Sequence, residues 1–501
     1  MTAALTEEVH RCVSWLRETV APDANLSTDS RRLGPGDVFC AYRGAAQDGR
    51  RFIGDAIARG AKAVLFDPAE GFGWEGAWDL AHRAEPLLKE RCGVIAAHWY
   101  GVPSKRLAVI AVTGTSGKSS TALWIARSLE ALGRRAAFIG TLGAGALDAL
   151  ADTGNTTPDP VLLQRLLAQF AAQGLAVVAM EVSSIGLEEG RVNGTHFQGA
   201  VFSNLSHDHL DYHGTMGAYE AAKARLFAWP DLKFAVVNLD DDAGPRIAQA
   251  ARRAGARVLG YGVNEASAAP LRAANIRYRA QGMEFDVQGF FGTRFFATEL
   301  IGTYNVSNLL AVAGVLLSLD VDIDAALAAM QSLKAPAGRL EQVPSDQGPM
   351  VLVDYAHKPD ALEKALKACR PLAEARGGRL IAVFGCGGDR DPGKRPIMGR
   401  IASELADTVF VTNDNPRSED PATVAEAILK GAVAGRPKPI LELDRRQAIA
   451  RAIGEAQPCD LVLVAGKGHE TYQEMAGKKL PFSDVDEARL ALEKRHKGAA
   501  C

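Results

Sequence analysis

Long uninterrupted apolar runs are missing from this 501-residue chain. Nowhere do about 18 apolar residues follow one another without a charge, which is the length that a membrane-spanning helix needs. The first twenty residues, MTAALTEEVHRCVSWLRETV, contain acidic side chains where a secretory signal needs a basic start and an apolar centre. We therefore predict a cytoplasmic protein with no membrane insertion.

Cysteine is scarce, and neither sign of charge is in excess. The seven cysteines are scattered and form no CxxC spacing, which argues against a zinc or disulfide framework and for a reducing compartment. The 57 basic side chains balance 59 acidic ones, so nothing indicates a nucleic-acid-binding surface. Repeats and low-complexity tracts are also missing, which leaves an ordinary globular enzyme as the expectation.

The length predicts several domains, because one hydrophobic core seldom organises more than about 250–300 residues. Near the N-terminus, DSRRLGPGDVFCAYRG, the helix-like DAIARG and the strand-like KAVLF indicate a small α/β module. The pattern breaks at 101–104, and strands such as LAVVAMEV then alternate with helices, as in a mostly parallel sheet. Short segments at about 266–299, in which apolar and polar residues alternate, predict a segment of antiparallel strands.

Strand and helix alternation resumes after the Ala-Pro-Ala-Gly segment at 335–338, with MVLVDYAH, LIAVFGCGG, TVFVTND and LVLVAGKG. We therefore predict an α/β protein of three domains. They are a small N-terminal α/β domain at 1–103, a central P-loop domain with a parallel sheet at 104–336, and a Rossmann-like domain at 337–501.

A glycine-rich loop follows the apolar strand that ends near Val112 and opens a helix. Backbone N–H groups and the helix N-terminus favour a phosphate there, while Lys118 suits the β- and γ-phosphates and the Ser119 hydroxyl suits Mg²⁺. Val112 stands where the general Walker pattern has its first glycine, so a structural turn with a solvated lysine is the alternative. The predicted ATP-binding loop is Gly114, Thr115, Ser116, Gly117, Lys118, Ser119 and Ser120.

Carboxylates and imidazoles follow two further strands. MEVSS places Glu181 at the end of one, and SNLSHDHLDYHGT places His209 and its acidic neighbours after the next. The carboxyl ends of parallel strands meet at one edge of an open sheet, where such proteins bind their ligands. Glu181 and His209 are therefore candidate Mg²⁺ ligands, although a strand-end glutamate or a loop histidine is often merely solvated.

Five segments in this order resemble the central domain of the Mur ligases: GTSGKSS, NTTPD at 155–159, MEVSS, NLSHDHLDYHGTM and YEAAKARLF at 219–227. The resemblance implies that Lys223, which on pattern alone is a helix-surface lysine, carries a CO₂-derived carbamate. It also implies two Mg²⁺ ions held by Ser119, Glu181, His209 and carbamylated Lys223, with Lys118, Lys223, Glu181 and His209 as the catalytic group.

The resemblance extends to residues that would contact the two nucleotides. For ATP it implies Asn305 and Asn308 near the adenine, Arg339 at the phosphates and Asp354 at the ribose once the domains close. For a UDP-muramoyl-dipeptide it implies Ser30, Gln47, Asn155, Thr156, Thr157, Ser183 and Arg191. Ile185 and Glu189 depart from the usual family pattern, which leaves peptide binding around 185–190 open.

Three segments of the last domain each follow an apolar strand and are predicted to line one pocket. The guanidinium groups of Arg390 and Arg417 suit carboxylates, and Glu470 offers an acceptor for an ammonium group. The segment DNPR at 414–417 resembles that of the Mur ligases that add diaminopimelate, in which an arginine would bind the second carboxylate. The predicted diaminopimelate residues are Arg390, Asp414, Asn415, Pro416, Arg417, Gly466 and Glu470.

Together these resemblances imply an ATP-dependent ligase that adds meso-2,6-diaminopimelate to UDP-N-acetylmuramoyl-L-alanyl-D-glutamate in peptidoglycan precursor synthesis, acting as a monomer on small molecules. Within the class, the lysine-adding and D-Ala-D-Ala-adding ligases and folylpolyglutamate synthase are alternatives. Outside it, a P-loop switch or kinase and a noncatalytic muropeptide sensor are alternatives. A switch or kinase would act independently of the muramoyl dipeptide.

Overall fold

The computed structural model describes residues 3–44, 47–265, 267–345, 348–434 and 436–499. Contacts between residues divide the chain into two compact units. The first unit comprises Met1–Arg272, Gln288–Gly292 and Ser307–Met330, and the second comprises Ala273–Val287, Thr293–Val306 and Gln331–Cys501. This division does not separate residues 1–103 from those that follow, so the predicted domain boundaries stay predictions.

A four-stranded parallel sheet lies near the N-terminus, with its strands in the order β1-β2-β3-β4. The strands are β1 (Leu26–Ser27), β2 (Val38–Ala41), β3 (Ala63–Phe66) and β4 (Ala81–Ala84), and the helices are α1 (Ala3–Thr19), α2 (Ile53–Ala58) and α3 (Leu88–Trp99). Both central strands are buried along their whole length. Cys40 of β2, Cys12 of α1 and Cys92 of α3 are buried in the same hydrophobic core as small apolar residues.

The central sheet has ten strands in the order β14-β13-β12-β11-β10-β9-β5-β8-β6-β7. They are β5 (Ala108–Thr113), β6 (Ala136–Gly140), β7 (Gly143–Ala146), β8 (Val177–Glu181), β9 (Gly199–Phe202), β10 (Phe234–Asn238), β11 (Arg257–Gly262), β12 (Leu271–Arg279), β13 (Gly282–Gly289) and β14 (Gly292–Thr298). Two-residue connections join β12, β13 and β14, and links this short permit only antiparallel pairing. The predicted antiparallel segment is therefore confirmed.

The helices of this region cover the sheet or follow its carboxyl edge. They are α4 (Lys118–Ala131), α5 (Pro160–Ala172), α6 (Ser184–Glu188), α7 (Leu210–His213), α8 (Met216–Ala224), α9 (Gly244–Arg253), α10 (Thr303–Ser318) and α11 (Ile323–Met330). β5 pairs in parallel with β8 on one side and β9 on the other. The residues that follow these three strands therefore meet at one edge, as the sequence predicts.

The second unit contains a six-stranded sheet in the order β15-β16-β20-β17-β18-β19. Its strands are β15 (Arg339–Val343), β16 (Met350–Asp354), β17 (Leu380–Phe384), β18 (Thr408–Val411), β19 (Ile440–Leu441) and β20 (Leu461–Ala465), followed by the hairpin β21 (Tyr472–Met475) and β22 (Lys478–Pro481). The helices are α12 (Pro359–Ala375), α13 (Lys394–Leu405), α14 (Pro421–Leu429), α15 (Arg445–Glu455) and α16 (Asp484–Ala499). Among the described strands of this six-stranded sheet, only β15 runs antiparallel to its neighbour.

Short 3-10 helices complete the secondary structure, at Ser30–Arg32, Gly49–Phe52, Ala69–Gly71, Pro103–Lys105 and Arg225–Ala228. In the part of the chain that the structure describes, none of the helices is both long and apolar enough to span a bilayer.

We predict that two glycine-to-alanine substitutions in the first unit act in opposite directions. A Cβ at buried Gly93 in α3 would lie 2.3 Å from the carbonyl oxygen of Asn193, whereas a Cβ at exposed Gly54 in α2 would meet nothing within 4 Å. Gly93→Ala should lower the free energy of unfolding by about 1–3 kcal/mol, because backbone must shift to admit the methyl group. Gly54→Ala should raise it by about 0.5–1 kcal/mol, because alanine loses less backbone entropy in a helix.

Urea unfolding followed by circular dichroism and tryptophan fluorescence measures both changes. Equal midpoints for the two variants would contradict the close packing of α3 on the backbone at Asn193.

Candidate functional site

The glycine-rich loop joins the end of β5 to the start of α4 in the first unit. The Lys118 ammonium donates hydrogen bonds to the carbonyl oxygens of Gly114, at 2.9 Å, and Thr115, at 3.0 Å. α4 begins at Lys118, so its first backbone N–H groups and its dipole lie in the same place. The loop thus gathers an ammonium group and a helix N-terminus, which together favour a phosphate.

The segment after β9 braces this loop. Ser116 N–H donates to Asn204 Oδ1 at 2.9 Å, and Ser203 Oγ donates to the Ser116 carbonyl at 2.7 Å. Gly114 has φ +148°, and a Cβ there would lie 1.9 Å from Ser203 Oγ. The loop can therefore follow its path only with glycine at this position.

Gly117 immediately precedes the P-loop lysine and has φ +83°. A Cβ at this position would lie 2.5 Å from Oδ1 of buried Asn308 in α10. Asn305, on the same helix, belongs to the second unit, where its side-chain amide donates to the Ile301 carbonyl at 2.8 Å. Asn308 therefore lies at the phosphate loop, while Asn305 holds the start of its helix.

Glu181 ends β8 and is only 1% exposed. Burial raises the pKa of its carboxyl group, while Lys118, the Thr141 N–H and the Ser119 hydroxyl act to lower it. The Thr141 N–H donates to Oε1 at 2.8 Å. A buried carboxylate beside the P-loop serine and lysine has the chemistry of a Mg²⁺ ligand.

Within the described ranges, no three His, Cys, Asp or Glu side chains converge as a metal-holding group. The predicted ligand set contains only one carboxylate and one imidazole, Glu181 and His209. The donor set at this edge therefore fits a hard cation only if Ser119 and a modified Lys223 contribute oxygen atoms too.

Lys223 of α8 is only 1% exposed, although its pattern is that of a helix-surface residue. Its ammonium donates to the Gly114 carbonyl at 2.9 Å and lies 4.3 Å from the centre of the Tyr219 ring. Burial, reinforced by the charge of Lys118, lowers the pKa of Lys223 to about 6, against a small opposing effect of Asp208. Near pH 7 this amine is therefore largely neutral and nucleophilic.

Two of the three histidines after β9, His209 and His213, have different surroundings. His209, at φ 52°, lies 6.1 Å from the Tyr219 ring, and burial lowers the pKa of its imidazole, with Lys118 and Lys223 adding to the effect. His213 is buried, with Nε2 2.9 Å from Ser184 Oγ and Nδ1 2.9 Å from Glu188 Oε2. His209 thus shares the electrostatic environment of both lysines, whereas α6 holds His213.

Most of the residues predicted for the muramoyl dipeptide form one group next to Glu181. Thr157 Oγ1 donates to the Glu181 carbonyl at 3.1 Å and accepts from Ser183 N–H at 3.0 Å. Arg191 donates to the Thr157 carbonyl at 3.1 Å and to the carboxylate of Glu189 at 2.8 Å. Glu189, which departs from the usual family pattern, therefore supplies an anionic partner that offsets the charge of Arg191.

Thr156 extends this group, since its hydroxyl lies 3.0 Å from that of Thr141. Asn155 is exposed. Ser30 is buried at the start of a 3-10 helix, and Gln47 is an exposed turn residue whose carbonyl accepts from Gly44 N–H at 2.9 Å. No hydrogen bond between described residues ties Ser30 or Gln47 to the Thr157 group, so the uridine contacts stay predictions.

The predicted nucleotide residues of the second unit, Arg339 and Asp354, lie opposite each other where β15 begins and β16 ends. Leu340 N–H donates to Asp354 Oδ2 at 2.8 Å, and the Arg339 guanidinium lies 5.5 Å from the centre of the Tyr355 ring. Burial raises the pKa of Asp354 to about 6, against the lowering effect of Arg339. Asp354 and Arg339 are therefore neighbours within this unit.

The predicted diaminopimelate residues gather after β17, β18 and β20. Arg417, at φ 54°, donates to the Gly388 carbonyl at 2.7 Å and lies 3.5 Å from Glu474 Oε2. A Cβ on Gly387 would lie 2.9 Å from Arg417 Nη1 and 3.9 Å from Cγ of Arg390, so both arginines flank this glycine. Arg390 is exposed and Arg417 partly buried.

The backbone of Arg417 is held by the β21–β22 hairpin. Its N–H donates to the Glu474 carbonyl at 3.1 Å, and its carbonyl accepts from Ala476 N–H at 2.7 Å. Asn415 donates to Glu470 Oε2 at 2.9 Å. Asp414 and Pro416 are buried, and Gly466 has φ +123°, where a Cβ would lie 2.4 Å from Asp414 Oδ2. The structure thus brings these seven predicted residues together.

Three family models match the chain. They are described as the Mur ligase family catalytic domain at residues 24–77, the Mur ligase middle domain at 112–316 and the Mur ligase glutamate ligase domain at 338–468. A relative from Ralstonia nicotianae, named UDP-N-acetylmuramoyl-L-alanyl-D-glutamate--2,6-diaminopimelate ligase, is 50% identical over 96% of each chain. One of the same name from Janthinobacterium sp. is 46% identical over 99% of each. The chain belongs to the Mur ligase family.

Solved structures agree with this membership. A UDP-N-acetylmuramoyl-L-alanyl-D-glutamate--2,6-diaminopimelate ligase structure is 37% identical, with a TM-score of 0.73, over 94% of this chain and 95% of the other. A MurF ligase from Thermotoga maritima, in complex with ADP, has a TM-score of 0.64 at 18% identity, over 95% and 99% of the two chains. The second likeness shows the fold alone, and the predicted three-domain α/β fold of a Mur ligase is confirmed.

Sequence reasoning missed several residues of this Mur ligase that the structure places at the sites. Thr141 holds Glu181, Tyr219 packs on Lys223, and Lys467 bridges Asn415 and Glu470. Lys467 had a usable signal, because it stands between the predicted residues Gly466 and Glu470. Thr141 had none, since it follows β6 within an unremarkable GTLG segment.

We predict that Gly117→Ala weakens ATP binding on the order of tenfold or more. A left-handed backbone costs a non-glycine residue roughly 1–3 kcal/mol, and the new methyl group would also displace Asn308. Gly133→Ala at the other end of α4 is the matched control, because Gly133 also has a positive φ, +77°, but a Cβ there meets nothing within 4 Å. Calorimetric titration with ATP and Mg²⁺ measures both variants, and equal affinities would refute a role for the space between Gly117 and Asn308.

Proposed function

We propose that this Mur ligase joins meso-2,6-diaminopimelate to the D-glutamate of UDP-N-acetylmuramoyl-L-alanyl-D-glutamate, with hydrolysis of ATP to ADP and phosphate, in peptidoglycan precursor synthesis. The observation that carries the proposal is the end-to-end similarity to ligases of that name. The grouping of Arg417, Asn415 and Glu470 in the second unit supports the choice of amino acid.

The chemistry requires an activated acid, because a carboxylate has no adequate leaving group for attack by an amine at neutral pH. The γ-phosphoryl group of ATP is transferred to the side-chain carboxylate of D-glutamate, giving an acyl phosphate and ADP. The amine of diaminopimelate attacks the acyl carbon, and the resulting tetrahedral intermediate expels phosphate as the amide forms. One proton leaves the amine in this step.

Electrostatics is the main demand on the protein, since ATP, the acceptor carboxylate and the UDP pyrophosphate are all anionic. The ammonium of Lys118 and the N-terminus of α4 bind the phosphates of ATP in this proposal. Two Mg²⁺ ions, held by Ser119, Glu181, His209 and carbamylated Lys223, would supply further positive charge to the phosphoryl groups. Arg339 and Asp354 contact the phosphates and the ribose after the domains close.

The surroundings of Lys223 support its carbamylation. A lysine with a pKa of about 6 is largely neutral near pH 7, and only the neutral amine attacks CO₂. The product is an anion, and it stands beside the Lys118 ammonium, whose charge acts on Lys223 in the unmodified protein. Carbamylation thus places a negative charge beside the Lys118 ammonium, which attracts the carbamate and repels a protonated Lys223.

Selection of diaminopimelate over lysine rests on the extra distal carboxylate of diaminopimelate. Arg417 and Arg390 offer guanidinium groups to that carboxylate, and Glu470 accepts from an ammonium group of the same substrate. Lysine lacks this carboxylate and would forgo the charged hydrogen bonds to the arginines, each of which contributes about 1.5–3 kcal/mol. The other proposed substrate contacts are Thr156, Thr157, Ser183 and Arg191 for the muramoyl dipeptide. The protein is predicted to be a cytoplasmic monomer, and its predicted partners are ATP, the UDP-dipeptide and diaminopimelate.

We expect phosphate release from ATP only when UDP-N-acetylmuramoyl-L-alanyl-D-glutamate and an amino acid are both present. Parallel reactions with meso-diaminopimelate, L-lysine and D-alanyl-D-alanine, with product masses determined for each, measure the preference. Diaminopimelate should be used with the highest kcat/KM. ATP consumption that ignores the dipeptide would point to a kinase or switch, binding of the dipeptide without turnover to a sensor, and faster reaction with L-lysine to a lysine-adding ligase.

Lys223→Ala is expected to lower kcat on the order of a hundredfold or more, because it removes an anionic group that positions the metal. A short carboxylic acid at high concentration should partly restore the rate by occupying the vacated space. Lys364→Ala, at a lysine whose side chain is 57% exposed, is the control and should leave the rate unchanged. A carbamate signal in the ¹³C NMR spectrum of wild-type protein in ¹³C-bicarbonate, missing from the Lys223→Ala protein, is the second readout, and full activity without rescue would exclude the proposed role.

A further inference from the structure

Lys467 is a completely buried lysine at the carboxyl end of β20, between the predicted diaminopimelate residues Gly466 and Glu470. Its side chain is 0% exposed, so no substrate reaches it directly. The ammonium donates to Asn415 Oδ1 and to Glu470 Oε2, each at 2.9 Å. An interior lysine is retained at such a place only when its partners satisfy its charge.

The two partners also bind each other, which closes a triangle of polar groups. Asn415 Nδ2 donates to Glu470 Oε2 at 2.9 Å, and Asn415 Oδ1 accepts a second hydrogen bond, from Glu474 N–H, at 2.9 Å. Each of the three side chains thus has its orientation set by the other two. In the part of the chain that the structure describes, Glu470 Oε1 accepts no hydrogen bond, so one carboxylate oxygen is left for another donor.

The charge of Glu470 depends on the same contact. Burial raises the pKa of Glu470, but hydrogen bonds from Lys467 and Asn415, the charge of Lys467 and the nearby His469 bring it below its ordinary value. Arg445 and Tyr355 are the other titratable groups whose electrostatic interaction reaches Glu470. Lys467 is the cation in direct contact with the carboxylate, so its removal should raise the pKa of Glu470.

We propose that Lys467 is a positioning residue for the amino-acid substrate, which holds Asn415 in place and keeps Glu470 ionised with one oxygen directed to a substrate ammonium group. The proposal rests on the proposed function, since it concerns how the same pocket recognises diaminopimelate. It adds a residue that acts entirely through two others, because Lys467 itself is out of reach of the substrate.

A purely architectural role is the alternative, and a second buried ion pair argues against it. Arg445 and Asp484 are each 0% exposed and lie 2.7 Å apart. Arg445 also donates to the carbonyls of Asn413, at 3.2 Å, and Ala465, at 3.0 Å. These carbonyls stand at the starts of the two loops that carry Asn415 and Glu470, so the loops are tied together without Lys467.

The test is steady-state kinetics of the full-length enzyme with Lys467→Met, which keeps the length of the side chain and removes its charge. The KM for diaminopimelate should rise on the order of ten- to a hundredfold, as for loss of a buried charged hydrogen bond. The KM values for ATP and the UDP-dipeptide and the thermal midpoint should stay near wild type. The raised KM should fall again as pH increases, because Glu470 with a raised pKa ionises only at higher pH. Lys364→Met is the matched control on an exposed lysine.

A wild-type KM for diaminopimelate in Lys467→Met would overturn the proposal. So would an equal rise in all three KM values together with a lower thermal midpoint, because that pattern reports general loss of structure. If the wild-type enzyme itself fails to use diaminopimelate, the proposed function fails instead, and the two failures are distinguishable.

The double variant Lys467→Met with Glu470→Gln covers the case in which Lys467→Met does not fold, since it removes both charges of the pair. If Lys467 acts through Glu470 and Asn415, the KM of the double variant for diaminopimelate should lie closer to that of Glu470→Gln alone than to the product of two independent effects. A double variant that is worse by the full effect of a second independent contact would contradict the proposal.

Discussion

Parallel pairing of β5 with β8 and β9 is the constraint on which the chemistry of the first unit depends. Because the three strands run in one direction, their last residues meet at one edge of the sheet. The phosphate loop, Glu181 and the segment of His209 are more than twenty residues apart in sequence and become neighbours only through this pairing. The second unit repeats the arrangement with β17, β18 and β20, whose following loops carry the residues that we propose bind diaminopimelate.

Burial of charge gives both sites their reactivity. Glu181, Lys223 and Asp354 would each have ordinary pKa values in water, and removal from water shifts all three toward the neutral form. The charged neighbours then determine how each group behaves. Lys118 favours an anion at Glu181 and disfavours a cation at Lys223, so one ammonium group promotes the carboxylate of the first and the neutral amine of the second.

Much of the fold and the location of both sites could be predicted from local sequence pattern. Apolar strands followed by glycine, carboxylate or imidazole residues directly indicate the ends of parallel strands, and this holds for Gly114, Glu181 and Asn415. Burial of Lys223 could not be predicted from its own helix, because it arises from packing of α8 against the phosphate loop. Only the family resemblance indicated a functional role for Lys223. The bridging position of Lys467 likewise requires knowing that two loops converge.

The β21–β22 hairpin, whose second strand is exposed, has a consequence for how specificity changes in evolution. Its residues hold the backbone of Arg417 on both sides, while β22 is exposed along its whole length. Exposed hairpins accept mutations readily, since few of their side chains are packed. Mutations in this hairpin could therefore reorient the Arg417 guanidinium, which we propose selects the amino acid, while every pocket side chain stayed the same, so new specificities need not begin in the pocket.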